Sequence, residues 1–183
     1  MRLIHLFEQF RAWPPEKEPI LVHIRETDRI HISDELVTSI KDQLNQHTGY
    51  KPLGFWYSFG KEWMHFLQDW DESRIALGKH VSENRHVYKL SLNMSKICVL
   101  RSKKHVDEFT RKHGVASGYI NWEKVAMHHS GVEVPNYHAL DMGHWHTKDN
   151  KYLWLSTWDV PSGCVWHKSA ITNLKKLEPR MPY

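Results

Sequence analysis

The chain has 183 residues, the length of one ordinary domain. Its 25 lysines and arginines exceed its 21 aspartates and glutamates, which gives a formal net charge of +4 with the 15 histidines neutral. Hydrophobic residues make up 40% of the chain and charged residues 25%, as in globular proteins, so wholesale disorder is excluded.

The first third of the chain alternates short helical and extended patterns. A helix is predicted over residues 1–12, and the apolar, β-branched run 19–24 predicts a buried strand. The apolar spacing over 33–46 predicts a second helix. A turn over 49–54 then leads into an aromatic strand over 55–59.

Aromatic side chains mark the next helix. Trp63, Phe66, Leu67 and Trp70 recur at the spacing of one helix face, which predicts that this face packs on the core. The polar residues 71–85 that follow predict a loop.

Strands and helices are again interspersed beyond this loop. The alternation over 86–93 and the apolar run 97–100 predict two strands. Helices are predicted over 104–113 and over 121–129, and Asn121 is a suitable N-cap for the second of these.

The last third of the chain has mainly β patterns. Strands are predicted over 131–134, 153–158 and 164–166, with a turn over 161–163. The basic segment 175–183 predicts a frayed tail.

These short interspersed elements, without a long βαβ series, predict an α+β fold. We expect a single domain over residues 1–183, with a core over about 19–171. Cys98 and Cys164 are too few for a disulfide scaffold or a cysteine-rich zinc module. We expect no metal site, because the histidine cluster His128, His129, His138, His144 and His146 lacks a cysteine or carboxylate at ligand spacing.

Membrane and secretion signals are missing from the pattern. There is no run of about 18 apolar residues, which a membrane span needs. The N-terminal residues (MRLIHLFE) also reach a charge too early for a secretory signal. We therefore expect a cytoplasmic protein with no membrane partner.

Two basic runs, 101–105 and 111–113, have a composition that can meet phosphates. Because Asp107 and Glu108 lie between them, we interpret them as the solvated face of a helix.

Three separated segments carry the most specific signal. They are Leu21-Val22-His23 at a strand end, the run 51–58 (KPLGFWYS), and the run 158–166 (WDVPSGCVW). In this order they resemble the histidine-type branch of the ADP-ribosyltransferase family. In that branch a first strand carries a histidine, and a second carries a glycine–aromatic–aromatic–small pattern before a helix. A later strand carries an acid.

The resemblance implies a fold of two small, mostly antiparallel sheets that form a cleft with flanking helices, as in small bacterial and phage members. It implies a mono-ADP-ribosyltransferase that uses NAD as its substrate. The family's binding positions would then be filled by His23, Gly54, Trp56, Tyr57 and Ser58.

The catalytic acid is left open by this resemblance, because the Glu-x-Glu signature of the family's arginine-modifying members is absent. Asp159 is the first choice and Glu133 the second. Breaking the nicotinamide–ribose bond builds positive charge on the sugar, and a nearby carboxylate stabilises that charge. His23 would orient the ribose or a phosphate, and Trp56 or Tyr57 would stack on nicotinamide.

Each of these residues also has a structural interpretation. His23 is equally suited to a core position bonded to backbone, and Trp56 and Tyr57 to the core of a central strand. Asp159 before Val160-Pro161 is suited to a turn.

Two functional classes other than a transferase stay open. A nucleic-acid-binding or nuclease-type domain is the alternative, because the basic balance, the histidines and the aromatics suit phosphates and bases. An interaction module that docks a partner through aromatic side chains is the third. For the transferase the expected partners are NAD and a macromolecular acceptor, protein or nucleic acid. A toxin or phage-conflict factor would add an antitoxin.

Overall fold

A computed structural model describes residues 51–76, 86–115, 118–140, 151–156 and 158–177, and the backbone alone of residues 21–25, 74 and 75. The helices predicted over 1–12 and 33–46 lie outside the described residues. No helix within the described ranges combines the length and the apolar character needed to cross a membrane.

The described elements are mostly short. The strands are β1 (Leu21–Arg25), β2 (Phe55–Phe59), β3 (His86–Leu92), β4 (Ile97–Val99), β5 (Gly114–Val115), β6 (Tyr119–Ile120), β7 (Gly131–Val134), β8 (Ser162–Val165) and β9 (Ile171–Leu177). The α-helices are α1 (Glu62–Ala76), α2 (Lys103–His113) and α3 (Trp122–Ala126). Four single 3₁₀ turns are Met94–Lys96, Tyr137–Leu140, Leu153–Leu155 and Lys168–Ala170. The fold is mixed α and β with small sheets, as predicted.

The chain divides into two compact units. Of the described residues, the first unit contains 21–25, 57–76, 86–91 and 173–177. The second unit contains 51–56, 92–115, 118–140, 151–156 and 158–172.

In the first unit, the strands follow the order β2-β1-β3-β9. β1 is antiparallel to both neighbours: Val22 lies opposite Ser58 on β2 and opposite Lys89 on β3. The hydroxyl oxygen of Ser58 accepts a hydrogen bond from the Trp63 backbone N–H at 3.3 Å, which ties the end of β2 to the first turn of α1.

α1 corrects two of the sequence predictions. Among its described side chains, Met64 and Asp71 are buried, one full heptad apart, whereas Trp70 is 54% exposed. The helix also continues to Ala76, through residues predicted as loop. Gln68 and Glu72 contribute to this extension, because their side chains are hydrogen-bonded at 3.1 Å across one helical turn.

In the second unit, the strand order is β4-β7-β8, followed by the first residues of β2. β4 and β7 are parallel, with Cys98 opposite Val132. β7 and β8 are antiparallel, with Val132 opposite Cys164 and Glu133 opposite Gly163. Val132 and Cys164 therefore share one face of the sheet, and Glu133 points to the other.

The two helices of the second unit begin at side-chain caps. Ser102 accepts from the His105 N–H at 3.3 Å at the start of α2, and Asn121 accepts from the Lys124 N–H at 3.0 Å at the start of α3. Both helices were predicted, although α3 is shorter than expected. α2 buries one stripe of side chains at i, i+3, i+4 and i+7, namely Val106, Phe109, Thr110 and His113.

Aromatic rings form the core of the second unit. Trp154 is fully buried and lies at its centre, with ring centroids 5.4 Å from Phe109, 5.9 Å from Trp122 and 6.0 Å from Trp158. Its indole N–H donates to the Thr110 hydroxyl at 3.1 Å. Trp122, Trp154, Trp158 and Trp166 all belong to this buried cluster.

Three predictions for the C-terminal third need correction. Residues 153–158 are not a strand, because Leu153–Leu155 forms a 3₁₀ turn. That turn buries the consecutive residues Trp154 and Leu155, whereas a strand would point them to opposite faces. Ser162 and Gly163 belong to β8 and not to a turn, and the tail is ordered as β9 up to Leu177.

His113, at the end of α2, is a buried titratable group. It is 5% exposed, and its Nδ1 atom has no hydrogen-bond partner among the described residues. Burial lowers its pKa, and the positive charge of Lys112 lowers it further. Burial and Lys112 lower the pKa of His129 in the same way. Both imidazoles are therefore held toward the neutral form.

The free energy of unfolding is expected to decrease as the pH is lowered from about 7.5 to about 5.5. The pKa values of His113 and His129 are lower in the folded chain, so the unfolded chain takes up protons first. The two histidines contribute fully to the free energy of unfolding above about pH 6.5, the pKa of a histidine in the unfolded chain. This contribution is lost as the pH falls from there through their lower pKa values in the folded chain. Urea unfolding at several pH values measures this slope, and His113→Gln should reduce it. An identical slope in the variant would contradict the assignment to His113.

Candidate active site

Lys51, Trp56 and Asp159 are brought together in the second unit. The Lys51 ammonium lies 3.5 Å from the Asp159 carboxylate and 5.2 Å from the centroid of the Trp56 ring. Lys51 and Asp159 are 108 positions apart in the sequence. Two predicted site residues, Trp56 and Asp159, are thus linked through a cation that the sequence interpretation did not single out.

Asp159 has an unusual backbone conformation. Its φ of 62° lies in the left-handed region, and the Val160 N–H donates to the Trp158 carbonyl at 2.6 Å across it. Asp159 is therefore the central residue of a tight three-residue turn, as its structural interpretation suggested. Aspartate tolerates this conformation better than most residues, and the turn directs its carboxylate to Lys51.

The ion pair between Lys51 and Asp159 is accessible to solvent. The side chains are 38% and 42% exposed, respectively. An exposed pair of this kind is worth about 0–1 kcal/mol, since water competes for both charges. A stronger anion can therefore replace Asp159 as the partner of Lys51 at little cost.

Trp158 packs directly against Trp56. The two rings meet edge to face, with centroids 5.0 Å apart. Trp158 is buried, and its indole N–H has no acceptor among the described residues. A buried unsatisfied donor costs about 1–3 kcal/mol, so this atom is a site where a ligand oxygen would be favourable.

Tyr137 extends the same cluster. Burial raises the pKa of its hydroxyl, the Asp159 charge raises it further, and a hydrogen bond with the Asp159 backbone opposes the shift. The hydroxyl thus stays protonated at neutral pH. The sequence analysis assigned no role to Tyr137 or Trp158, because both join the cluster through contacts between distant parts of the chain.

Gly54 permits a close approach between the entry to β2 and β8. An added Cβ would lie 2.4 Å from the Val165 carbonyl oxygen and 2.8 Å from the Cys164 sulfur. Its φ of +157° is also one that side-chain-bearing residues rarely adopt. The close approach to β8 and the backbone conformation therefore explain why the predicted motif has a glycine at position 54.

Glu133, the second choice for the acid, lies in β7 and is 4% exposed. It projects from the sheet face opposite Val132 and Val134, which belong to the aromatic core. Gly131 on the same strand and Gly163 opposite it provide no side chains on that face. Glu133 is therefore a buried carboxylate flanked by glycines.

The predicted residues of the first unit have different surroundings. Tyr57 and Ser58 are fully buried, and Ser58 is engaged with the α1 backbone. Of the two adjacent rings, Trp56 is the one that keeps partial exposure. His23 lies at the centre of β1, opposite Tyr88 on β3, and its side chain lies outside the described part of the chain.

The arrangement in the second unit combines a partly exposed indole, an exposed ammonium and carboxylate, and a buried N–H donor. Such a set can hold a ligand with a flat ring, an anionic group and a hydroxylated sugar. Within the described ranges, no three histidine, cysteine or acidic side chains are placed to hold a metal ion. Comparisons of the chain with protein-family models, with curated proteins and with solved structures found no match.

Proposed function

We propose that the protein is a mono-ADP-ribosyltransferase that transfers ADP-ribose from NAD to a protein or nucleic acid acceptor. The observation that carries the proposal is the convergence of Trp56, Lys51 and Asp159 in one cluster. Two of these were expected to act on NAD from the order of motifs in the sequence. The finer fold, two sheets forming a cleft for NAD, is part of this proposal.

The cation of Lys51 suits the pyrophosphate of NAD. A phosphate oxygen competes well with an exposed carboxylate for an ammonium group, because charge-assisted hydrogen bonds to phosphate are strong. On binding, Lys51 would exchange Asp159 for the pyrophosphate. This exchange would free the Asp159 carboxylate for the ribose.

Trp56 supplies a flat, partly exposed face for nicotinamide or adenine. The buried indole N–H of Trp158 beside it would donate to a carboxamide or ribose oxygen. Since Trp158 is 1% exposed, this second interaction requires a local opening beside the indole.

A carboxylate assists the transfer itself. The acceptor's nucleophile forms a bond to the anomeric carbon of the ribose as the bond to the nicotinamide nitrogen breaks. The electron pair of that bond leaves with neutral nicotinamide, and the acceptor loses a proton to the surroundings. Positive charge develops on the sugar, and Asp159 or the buried Glu133 would stabilise it.

Incubation with adenylate-labelled NAD and cell extract tests the proposal. We expect nicotinamide release and transfer of label, and a higher melting temperature with NAD. Asp159→Asn is the sharpest variant, because asparagine also tolerates the left-handed conformation. Loss of the catalytic carboxylate should reduce transfer by about a hundredfold or more.

Glu133→Gln, assayed in parallel, identifies which acid is used, and Asp69→Asn, an exposed carboxylate on α1, is the matched control. A folded protein that neither releases nicotinamide nor shifts its melting temperature with NAD would overturn the proposal. Equal activity in both acid variants and the control would exclude Asp159 and Glu133 as the catalytic acid.

A further inference from the structure

A concave site in the second unit shares no residue with the cluster around Trp56. It is a cleft of about 340 Å³ between the edge strand β4, helix α2 and His129. We call it the basic cleft. Its volume is within the range of about 300–1,000 Å³ that is typical of small-ligand sites.

One side of the basic cleft is apolar. It consists of Cys98, Val99 and Leu100 of β4 and Phe109 of α2. Burial raises the pKa of the Cys98 thiol to about 11, although the charge of Lys112 opposes the shift. The thiol is therefore protonated at neutral pH and acts as apolar surface, not as a nucleophile.

The other side carries nitrogen donors from two elements. His105, Arg111, Lys112 and His113 come from α2, and His129 follows α3. Lys124 adds positive charge nearby, since it contributes to lowering the pKa of His113. These charges repel one another in the free protein, and an anion would relieve that repulsion.

His113 is the most specific feature of the basic cleft. It is 5% exposed and lines the cleft, yet its Nδ1 atom has no partner among the described residues. Buried nitrogen atoms of this kind are normally satisfied by protein, water or ligand. A hydrogen-bonding group of a ligand in the cleft would satisfy this nitrogen.

Glu108 is the single acid among the residues that line the basic cleft. It is exposed, and its carboxylate lies 4.0 Å from the ammonium of Lys104, one turn away on α2. Lys104 itself does not line the cleft. Glu108 is therefore partly neutralised, and the net charge of the lining stays positive.

We propose that the basic cleft binds a nucleoside phosphate, as a free mononucleotide or as part of a nucleic acid strand. The donors on α2 and His129 would hold the phosphate, and the apolar side would contact the base or sugar. The basic runs interpreted from sequence as a solvated helix face thus divide into two sets. Arg111 and Lys112 face the site, and Lys104 does not.

The experiment is calorimetric titration of the full chain without NAD, using AMP, adenosine, and a single-stranded oligonucleotide of about eight nucleotides. AMP or the oligonucleotide should bind and adenosine should not. Binding should weaken with salt, because phosphate contacts release counterions. It should also tighten at lower pH as His113 and His129 become protonated.

The matched variants are Arg111→Gln with Lys112→Gln, against Lys104→Gln on the same helix. The double variant should raise the dissociation constant about tenfold or more, as for lost charge-assisted hydrogen bonds. Lys104→Gln should change it less than twofold. The glutamine variants are exposed substitutions and leave the buried stripe of α2 intact.

Binding of AMP identifies a free nucleotide as sufficient, and binding of the oligonucleotide alone identifies a strand as the ligand. Either result, with the variant pattern above, supports the site. The inference is overturned if neither ligand binds, or if Lys104→Gln weakens binding as much as the double variant. Weakening by Lys51→Gln instead would assign binding to the Trp56 cluster. The inference stands independently of the transferase proposal, since no readout here requires NAD cleavage.

Discussion

Trp154→Ala is expected to lower the free energy of unfolding by about 3–5 kcal/mol, the usual cost of removing a large buried aromatic side chain. Trp154 is fully buried and contacts the rings of Phe109, Trp122 and Trp158. Its removal leaves a cavity in the centre of the second unit and an unpaired hydroxyl on Thr110. Urea unfolding, followed by tryptophan fluorescence and by circular dichroism, measures the change.

Trp70→Ala is the matched control for this prediction. Trp70 is 54% exposed on α1, and its main described contact is a stacked arrangement with Phe66 at 6.3 Å. An aromatic pair contributes about 0.5–1.5 kcal/mol, so the control should lose no more than that. Similar losses in the two variants would show that Trp154 is not central to the core.

Gly54→Ala is expected to cost about 2–4 kcal/mol, from overpacking together with an unfavourable backbone conformation. The new methyl group would meet the Val165 carbonyl oxygen at 2.4 Å and the Cys164 sulfur at 2.8 Å. Backbone on β8 would have to move, because a carbonyl oxygen cannot rotate away as a flexible side chain can.

Gly60→Ala is the control that separates the cost of overpacking at Gly54 from the cost of the backbone conformation. Gly60 has a φ of +56°, and an added Cβ there has no neighbour within 4 Å. It should cost only the left-handed conformation, about 1–2 kcal/mol. Thermal unfolding of both variants gives the comparison. An equal loss in the two would mean that the close approach at Gly54 is not a constraint.

Local signals predicted much of the second unit. α2 and α3 were predicted from the helical patterns over 104–113 and 121–129, and Asn121 is the N-cap of α3, as the sequence indicated. β7 was predicted because its four residues are apolar or β-branched with one exception, Glu133. These features depend on neighbours in sequence, which a single chain displays directly.

The buried face of α1 was not predictable in the same way. Trp63, Phe66 and Trp70 have the right spacing for a core face, but the buried positions among the side chains that the structure describes on α1 are Met64 and Asp71. Shifting the face by one residue rotates it by about 100° around the helix. Only the surface against which a helix packs decides between such faces.

The candidate sites were also predictable only in part from the sequence. Trp56 and Asp159 were expected near NAD from motif order, and both belong to one cluster. The bridging Lys51 and the orphaned indole of Trp158 depend on contacts between distant parts of the chain. Likewise, the basic runs on α2 could not be divided into facing and outward positions until β4 and His129 were placed beside them.

The register of the second unit also decides the redox behaviour of its two thiols. Cys98 lies opposite Val132, and Val132 lies opposite Cys164, so β7 separates the two cysteines in one row of the sheet. Two strand spacings amount to about 10 Å, beyond the roughly 7 Å limit between the α-carbons of a disulfide. The native sheet therefore cannot be cross-linked by a Cys98–Cys164 disulfide, and non-covalent interactions hold it together under reducing and oxidising conditions alike.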